Sequence, residues 1–415
     1  MERIVFKQAN LFDGEHPTRP GVTVVVEGER IAAVTNGDGP APDPGDRVID
    51  LAGKTLMPGM YSCHFHTAYH NLGSSPAPLG LDHPPTYLAL LAANNVRTLL
   101  MCGYTGAVGA SAGSDIDATI KAAISDGVIQ GPRLMAASRD LVTTGDSVDS
   151  APWWWQIGAM GGHRVCDGPD EFRKAVREEI KRGAEIIKLY PTGGHGVALP
   201  KEIMALTRAE LHAAVDAAHE HGKKVRGHIV SKLGIMESVA AGVDVIDHAD
   251  RMDAECIEAF LKAGSFVVPS MYYPTRVLEE ASKSGAGDQP GMQGLKRDLE
   301  HMASMLPEAS AAGVKIVVGD DFGTIITPHG DYAKELQVYV QYVGMSPVEV
   351  LKWATKNGAE LMGMGDELGT IEANKLADLV IVDGDPTVDI TVLQDNEKLL
   401  AIMKGGQFVK DELSG

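Results

Sequence analysis

The spacing of apolar and polar positions changes twice along the chain. Residues 1–57 run as short alternating stretches, RIVFKQANLFDG, GVTVVVEGERIAAVTNG and DRVIDLAGKTLMPG, punctuated by glycine and aspartate in the manner of paired β-strands. From about Met57, apolar runs of strand length alternate with segments whose apolar residues recur at three and four positions, the period of a half-buried helix. LMPGMYSCHFH, TLLMCGYTG, PRLMAASR, EIIKLYPTGG, KVRGHIVS, DVIDHAD, SFVVPSMYY and KIVVGDDFG make eight candidate strands. GPDEFRKAVREEIKRGA and TRAELHAAVDAAHEHGK exemplify the helices between them. Eight strands alternating with helices predict an α/β fold, a (β/α)8 barrel of the TIM type. Near the C-terminus the strand pattern returns in KLADLVIVDGDP and LAIMKGGQFVKDEL, so both termini are expected to build one small β-sandwich beside the barrel. The division is 1–57 and 365–415 for the two parts of the sandwich and 58–364 for the barrel. Residues 279–294, EEASKSGAGDQPGMQG, read as a mobile loop.

Charge narrows the partners. Against 37 Lys and Arg stand 56 Asp and Glu among 415 residues, a net of -19, which disfavours a sequence-independent grip on nucleic acid or an anionic membrane. The opening MERIVFKQANLFDG lacks the long apolar core of a signal peptide, no later run is long enough to span a bilayer, and a cytoplasmic location is the expectation. Cys63, Cys102, Cys166 and Cys256 are widely spaced with no CxxC pair, which suggests neither a disulfide framework nor a thiolate zinc site.

The polar residues that interrupt the apolar strands fall where barrel chemistry is built, at the strands' carboxyl ends. His64 and His66 end the first strand, Lys188 the fourth, His228 and His248 the fifth and sixth, and the pair Asp320 and Asp321 the eighth. Residues two apart on a strand share a face, so His64 and His66 can share one metal while Cys63 turns away to pack. Imidazole suits zinc and similar divalent ions, and a carboxylate from the last strand can complete the set. Lys188 stands out, because an ammonium buried unpaired in EIIKLY would be costly. Capture of carbon dioxide as a carbamate, N6-carboxylysine, would turn it into an anionic oxygen donor able to bridge two ions.

These motifs resemble the amidohydrolase superfamily, in its binuclear prolidase-like and imidazolonepropionase-related branch, along essentially the whole chain. His64-x-His66, EIIKLYPTGG, GHIVS, DVIDHAD and VVGDDFG match that branch's ligand strands, and SPVEVLKWATKNGAELMGMGDELGTIEANKLADLVIVDGDP is similar to its C-terminal segment. The resemblance implies that His64, His66 and Asp321 hold one ion and His228 and His248 a second, with carboxylated Lys188 bridging two divalent ions, zinc by ligand type. Asp321 is chosen over Asp320 from the position of Gly323, since the family pattern reads Gly-Thr-Asp-x-Gly. The implied activity is metal-dependent hydrolysis of an amide, by a metal-bridging hydroxide, with Asp321 moving its proton to the leaving nitrogen. His163, in GAMGGHRV, is similar to a glycine-rich histidine loop of these relatives and is the candidate donor to the oxyanion. Two positions depart from the pattern: Ile229 and Val230 stand where a tyrosine often follows the fifth-strand histidine, and Ser62 where an aspartate often precedes the HxH pair.

Substrate features are fewer. Trp153, Trp154 and Trp155 follow the third strand and Tyr272 and Tyr273 the seventh, apolar walls that suit an aromatic or aliphatic substrate and equally a lid or subunit contact. Tyr190 and His329 are further candidate contacts, and Arg139, Arg164 and Arg276 could each hold a carboxylate, Arg139 being preferred. His70, His83, His195, His212, His219, His221 and His301 read as ordinary core or surface residues. The expected substrate is a small linear amide, peptide-like or N-acyl amino acid, with one partly apolar or aromatic side. A cyclic amide, imide or carbamate hydrolase and a non-enzymatic scaffold relative are the alternatives. No nucleic-acid or membrane partner is expected, and a homo-oligomer is, by similarity to the relatives.

Overall fold

The computed structural model describes residues 3–75, 77, 80–146, 148–149, 151–152, 154, 161–195 and 201–413. Both termini meet in one sheet. Strand Arg3–Leu11 pairs antiparallel with Arg19–Glu27, setting Phe6 opposite Val24, and parallel with Thr55–Pro58 on its other side. Thr55–Pro58 then pairs antiparallel with Leu379–Val382, which continues into Leu399–Lys404 and Gln407–Asp411. Alternation puts Phe6, Val22, Val24, Leu56, Ile381 and Met403 in a shared core, which ties the two ends of the chain together by burial of apolar surface.

Between these ends the pairing is parallel. Met60–Phe65, Tyr104–Gly109 and Arg133–Met135 form one run of neighbours. A second run leads from Ala137–Val142, beside the short strand His163–Val165, through Ile186–Leu189, Lys224–Ile229, Val245–His248 and Phe266–Val268 to Lys315–Ile316. The last segment returns to the first strand, where the Cys63 amide donates to the Val318 carbonyl at 2.7 Å. A Cβ on Gly319 would lie 2.1 Å from the His64 nitrogen, so only glycine lets these two backbones approach.

The intervening helices bury one stripe each. In Pro169–Lys181 the buried side chains are Phe172, Ala175, Val176 and Glu179, and Arg208–His219 opens with a reciprocal capping box between Thr207 and Glu210. Two readings of the chain change here. Thr98–Met101 of TLLMCGYTG finish the helix Pro85–Met101, and the strand begins only at Tyr104, after Gly103 at φ 84°. Residues 279–294 are largely helical: helix Tyr272–Lys283 runs into them and helix Pro290–Ala312 begins within them. Ion pairs of Arg276 and Lys283 with Glu280, and a proline at the first position of the second helix, outweigh the loop-like composition. Among the described residues, no helix is long and apolar enough to cross a membrane.

Candidate metal centre

The strand ends bring the predicted ligands together. His64 Nε2 and His66 Nε2 each lie 3.1 Å from Asp321 Oδ1, and these three residues offer donor atoms within 4.8 Å of one another. His228 Nδ1 faces His248 Nε2 at 2.9 Å. Asp320 turns elsewhere, accepting the amides of Tyr272 and Asp321.

Two of the imidazoles have an outer contact that decides which nitrogen faces the centre. His66 Nδ1 lies 3.2 Å from the Ser111 carbonyl and His228 Nε2 lies 3.1 Å from the Gly194 carbonyl. A carbonyl only accepts, so each of these nitrogens carries the proton, and His66 Nε2 and His228 Nδ1 keep lone pairs turned inward. His64 Nδ1 lies 3.2 Å from the Arg226 guanidinium, which only donates, and 3.5 Å from Asp247 Oδ1, which only accepts, so its outer contacts do not select one tautomer. Burial pushes His66 down to about 4 and His228 to about 3, with the Lys188 charge adding to both, and it drives His248 well below its ordinary value. Neutral imidazoles are the ligand form. Burial opposes ionisation of Asp321, but His64 and His66 hold its carboxyl well below the usual range. The donor set therefore fits one or more divalent ions.

Lys188 has a partner. Its ammonium donates to Asp247 Oδ2 at 2.6 Å, and Asp247 also accepts from Arg226 at 2.6 and 3.1 Å. Arg226 donates in addition to the Gly109 carbonyl at 2.7 Å, and all three charged groups are buried. The expectation of an unpaired ammonium is corrected accordingly: its burial has a counter-ion, so burial alone does not call for carboxylation.

Arg226 and Asp247 were missed as site residues, although strand alternation would have found the first, two positions before His228. Asp247 was hidden because neighbours on a strand face opposite ways, whereas His248 adopts φ 76° and swings its ring back over the same face. His195 was missed as well. It follows the Lys188 strand at φ 50°, sets Nδ1 2.9 Å from Asp250 and Nε2 3.1 Å from the Ser270 carbonyl, and stacks on His248 at 3.9 Å. Burial disfavours its charge, yet Asp250 lifts it to about 9. Its donor atoms group with those of His248 and Asp321.

The remaining candidates are dispersed. His163 stands beside Asp140 on a neighbouring strand, its Nδ1 buried without a hydrogen-bond partner among the described residues. Tyr190 stacks on His228 at 4.9 Å, behind a proposed ligand. The Tyr272 hydroxyl donates to Asp331 at 3.2 Å; burial, and then the charges of Asp321 and Asp320, raise the Tyr273 hydroxyl to about 12. Both ring nitrogens of His329 lie 2.9 Å from oxygens within the fold, those of Tyr69 and Tyr332. Arg139 corrects the preference for a carboxylate clamp: its guanidinium is buried against Glu179 of helix Pro169–Lys181, on the outer side of its strand. Trp154 is exposed, while Trp153 and Trp155 lie outside the described residues.

The pattern of the amidohydrolase family matches residues 55–409, and the chain belongs to that family. Ochratoxinase of Aspergillus niger is 28% identical over 382 residues, covering 86% of this chain and 75% of that protein. Imidazolonepropionase of Acidiphilium cryptum is 25% identical over 407 residues, 88% of this chain and 89% of that one. A crystal structure of a Xaa-Pro dipeptidase with methionine bound in its active site superposes with a TM-score of 0.86 at 28% identity, over 99% of this chain and 100% of that one. Within the superfamily the chain falls in the prolidase- and imidazolonepropionase-related branch. Membership and relatives together support a hydrolase acting on carbon–nitrogen bonds.

Proposed function

We propose that this chain is a binuclear metal-dependent amidohydrolase cleaving a linear amide, peptide-like or N-acyl amino acid, with one apolar or aromatic side. The observation that carries the reading is the outward fixing of His66 Nδ1 on Ser111 and His228 Nε2 on Gly194, which leaves two inward lone pairs beside Asp321 and His248. His64, His66 and Asp321 would hold one ion and His228 and His248 the other, with Lys188 as the carboxylated bridge. When bound, two zinc ions supply Lewis-acid polarisation of the carbonyl and an activated water.

The chain's own groups do the rest. Asp321 takes the proton as the water oxygen bonds to the carbonyl carbon, then returns it to the nitrogen as the C–N bond breaks, leaving a carboxylate and an amine. His163 donates to the carbonyl oxygen as negative charge develops there. Of the aromatic candidates, Tyr190, stacked on His228, and Tyr273, near Asp321, are the described ones beside the ligands and would meet the substrate's apolar side. The same reading closes the parallel strands of residues 58–364 into a (β/α)8 barrel, for which the Cys63 to Val318 hydrogen bond is the supporting contact. A cytoplasmic homo-oligomer completes it.

Metal analysis beside a substrate panel tests the proposal. Two ions per chain with turnover of Xaa-Pro dipeptides or N-acyl amino acids is expected. Turnover confined to cyclic imides or aryl carbamates would overturn the substrate class, and fewer than two ions in active enzyme would overturn the binuclear centre.

A further inference from the structure

Asp140 lies on the inward face of strand Ala137–Val142. Its neighbour Arg139 turns outward to Glu179, so alternation sends Asp140 toward the strand ends' interior. Parallel register sets it level with Lys188 on one side and His163 on the other, in the layer of the metal-site residues. The side chain is fully buried, which raises its carboxyl to about 7 against the Lys188 charge and a weak Ser111 contact, and neither oxygen has a hydrogen-bond partner of good geometry among the described residues. The nearest cation, Lys188, gives its ammonium to Asp247 instead. A carboxylate withdrawn from water without donors is costly, and in a native fold it marks a place where a donor is to be supplied.

A small cavity lies beside Asp140. A pocket bounded by Tyr69, Asp82, Ser111, Gly113, Asp140 and Gly162 lies against the metal site, where the Tyr69 ring stacks on His66 at 3.8 Å and Ser111 holds His66 Nδ1. Its described lining includes two carboxylates and no Lys or Arg. Such a wall repels a substrate carboxylate and attracts an ammonium, whose three N–H groups match the free acceptor positions of Asp140.

The geometry points to Asp140 as a specificity-determining residue that receives the protonated amine of the substrate. The substrates are then aminoacyl amides with a free α-amine, dipeptides among them, in preference to N-acyl amino acids. This rests on the linear-amide reading above and narrows it.

Binding and turnover test it separately. With zinc-loaded protein, leucinamide is expected to bind roughly 10- to 100-fold more tightly than N-acetylleucinamide in calorimetry, the range for a hydrogen bond to a charged group. Asp140→Asn and Asp140→Ser should abolish that ratio. Equal binding of the two amides by the unaltered protein means that water alone meets the carboxylate, and overturns the assignment. A preference that survives in a folded variant overturns it too. In turnover, Leu-Pro should exceed N-acetyl-Leu-Pro by a similar factor, and the reverse order overturns the assignment while leaving linear amide hydrolysis intact. Failure of both peptides together with retained leucinamide preference would instead overturn the reaction and leave the amine site standing.

Discussion

The Lys188 ammonium and the Asp247 carboxylate are 2.6 Å apart, both fully buried, on the two strands that flank Lys224–Ile229. The pair gives Lys188 a structural role that competes with the carbamate role implied by the family. Arg226 alone can balance Asp247, since it meets both carboxylate oxygens, so conversion of Lys188 to an anion would not leave Asp247 without a cation. Lys188→Arg separates the roles, because arginine keeps the positive charge for Asp247 and forms no carbamate. The variant is expected to fold and to lose at least one of two ions by mass-spectrometric metal analysis, with activity down on the order of a thousandfold, the scale of a lost catalytic electrostatic group. The unaltered protein should show a carbamate carbon resonance when equilibrated with 13C-bicarbonate. A folded arginine variant with two ions and full activity would reduce Lys188 to a counter-ion.

What was legible in the sequence follows from periodicity. His64, His66, Lys188, His228, His248 and Asp321 were visible because parallel strands end at one face and each interrupts an apolar run there. Asp247 and His195 were not, because their placement depends on left-handed backbone at His248 and at His195 itself, which no apolar pattern encodes. Arg139 was read as a free clamp because its partner, Glu179, lies 40 residues away on a helix whose buried stripe includes an acid. The segment 279–294 misled through its Gly and Ser content, since helix Tyr272–Lys283 carries ion pairs to Glu280 and helix Pro290–Ala312 opens on a proline, neither of which bulk composition displays.

Glu335 supplies a pH signature away from the ligands. Burial, and then the Asp320 charge, raise its carboxyl from 4.5 to about 8, while it accepts the Gly319 amide and the Tyr339 hydroxyl. The native state therefore favours protonated Glu335, so its contribution is fully present below about pH 4.5 and is lost as pH rises through about 8. Glu335→Gln keeps the shape and removes the titration. Its melting temperature relative to the unaltered protein is expected to climb from pH 5 to pH 8, and a difference that stays constant over that range would refute the assignment.

His195 backs His248 by stacking at 3.9 Å and is itself pinned by Asp250 and the Ser270 carbonyl. Support of this kind for a ligand contributes about 10- to 100-fold to metal affinity. Asp250→Asn should loosen His195 and weaken binding of the second ion by that factor in competition with a chromophoric chelator, with the first ion less affected. Equal weakening of both ions, or none, would mean that the His195–Asp250 pair does not act through His248.

Gly319 bears on the whole centre, because the last strand segment passes so close to the first that an added Cβ would meet the His64 nitrogen at 2.1 Å and the Cys63 backbone at 2.9 Å. The methyl of Gly319→Ala has nowhere to go except by separating the two segments, which carry His64, His66 and Asp321. Overpacking of this kind costs about 3 kcal/mol, and the backbone partners cannot yield as a flexible side chain would. Gly291→Ala is the matched control, since nothing lies within 4 Å of a Cβ there and the site is in the first turn of a helix. Denaturant unfolding should show Gly319→Ala destabilised by about that amount with reduced metal content, while Gly291→Ala is unchanged or up to about 1 kcal/mol more stable. Unaltered metal content in a destabilised Gly319→Ala protein would show that the first and last strands can part without moving the ligands, and that the centre is held by its outer contacts to Ser111, Gly194 and Asp247 instead.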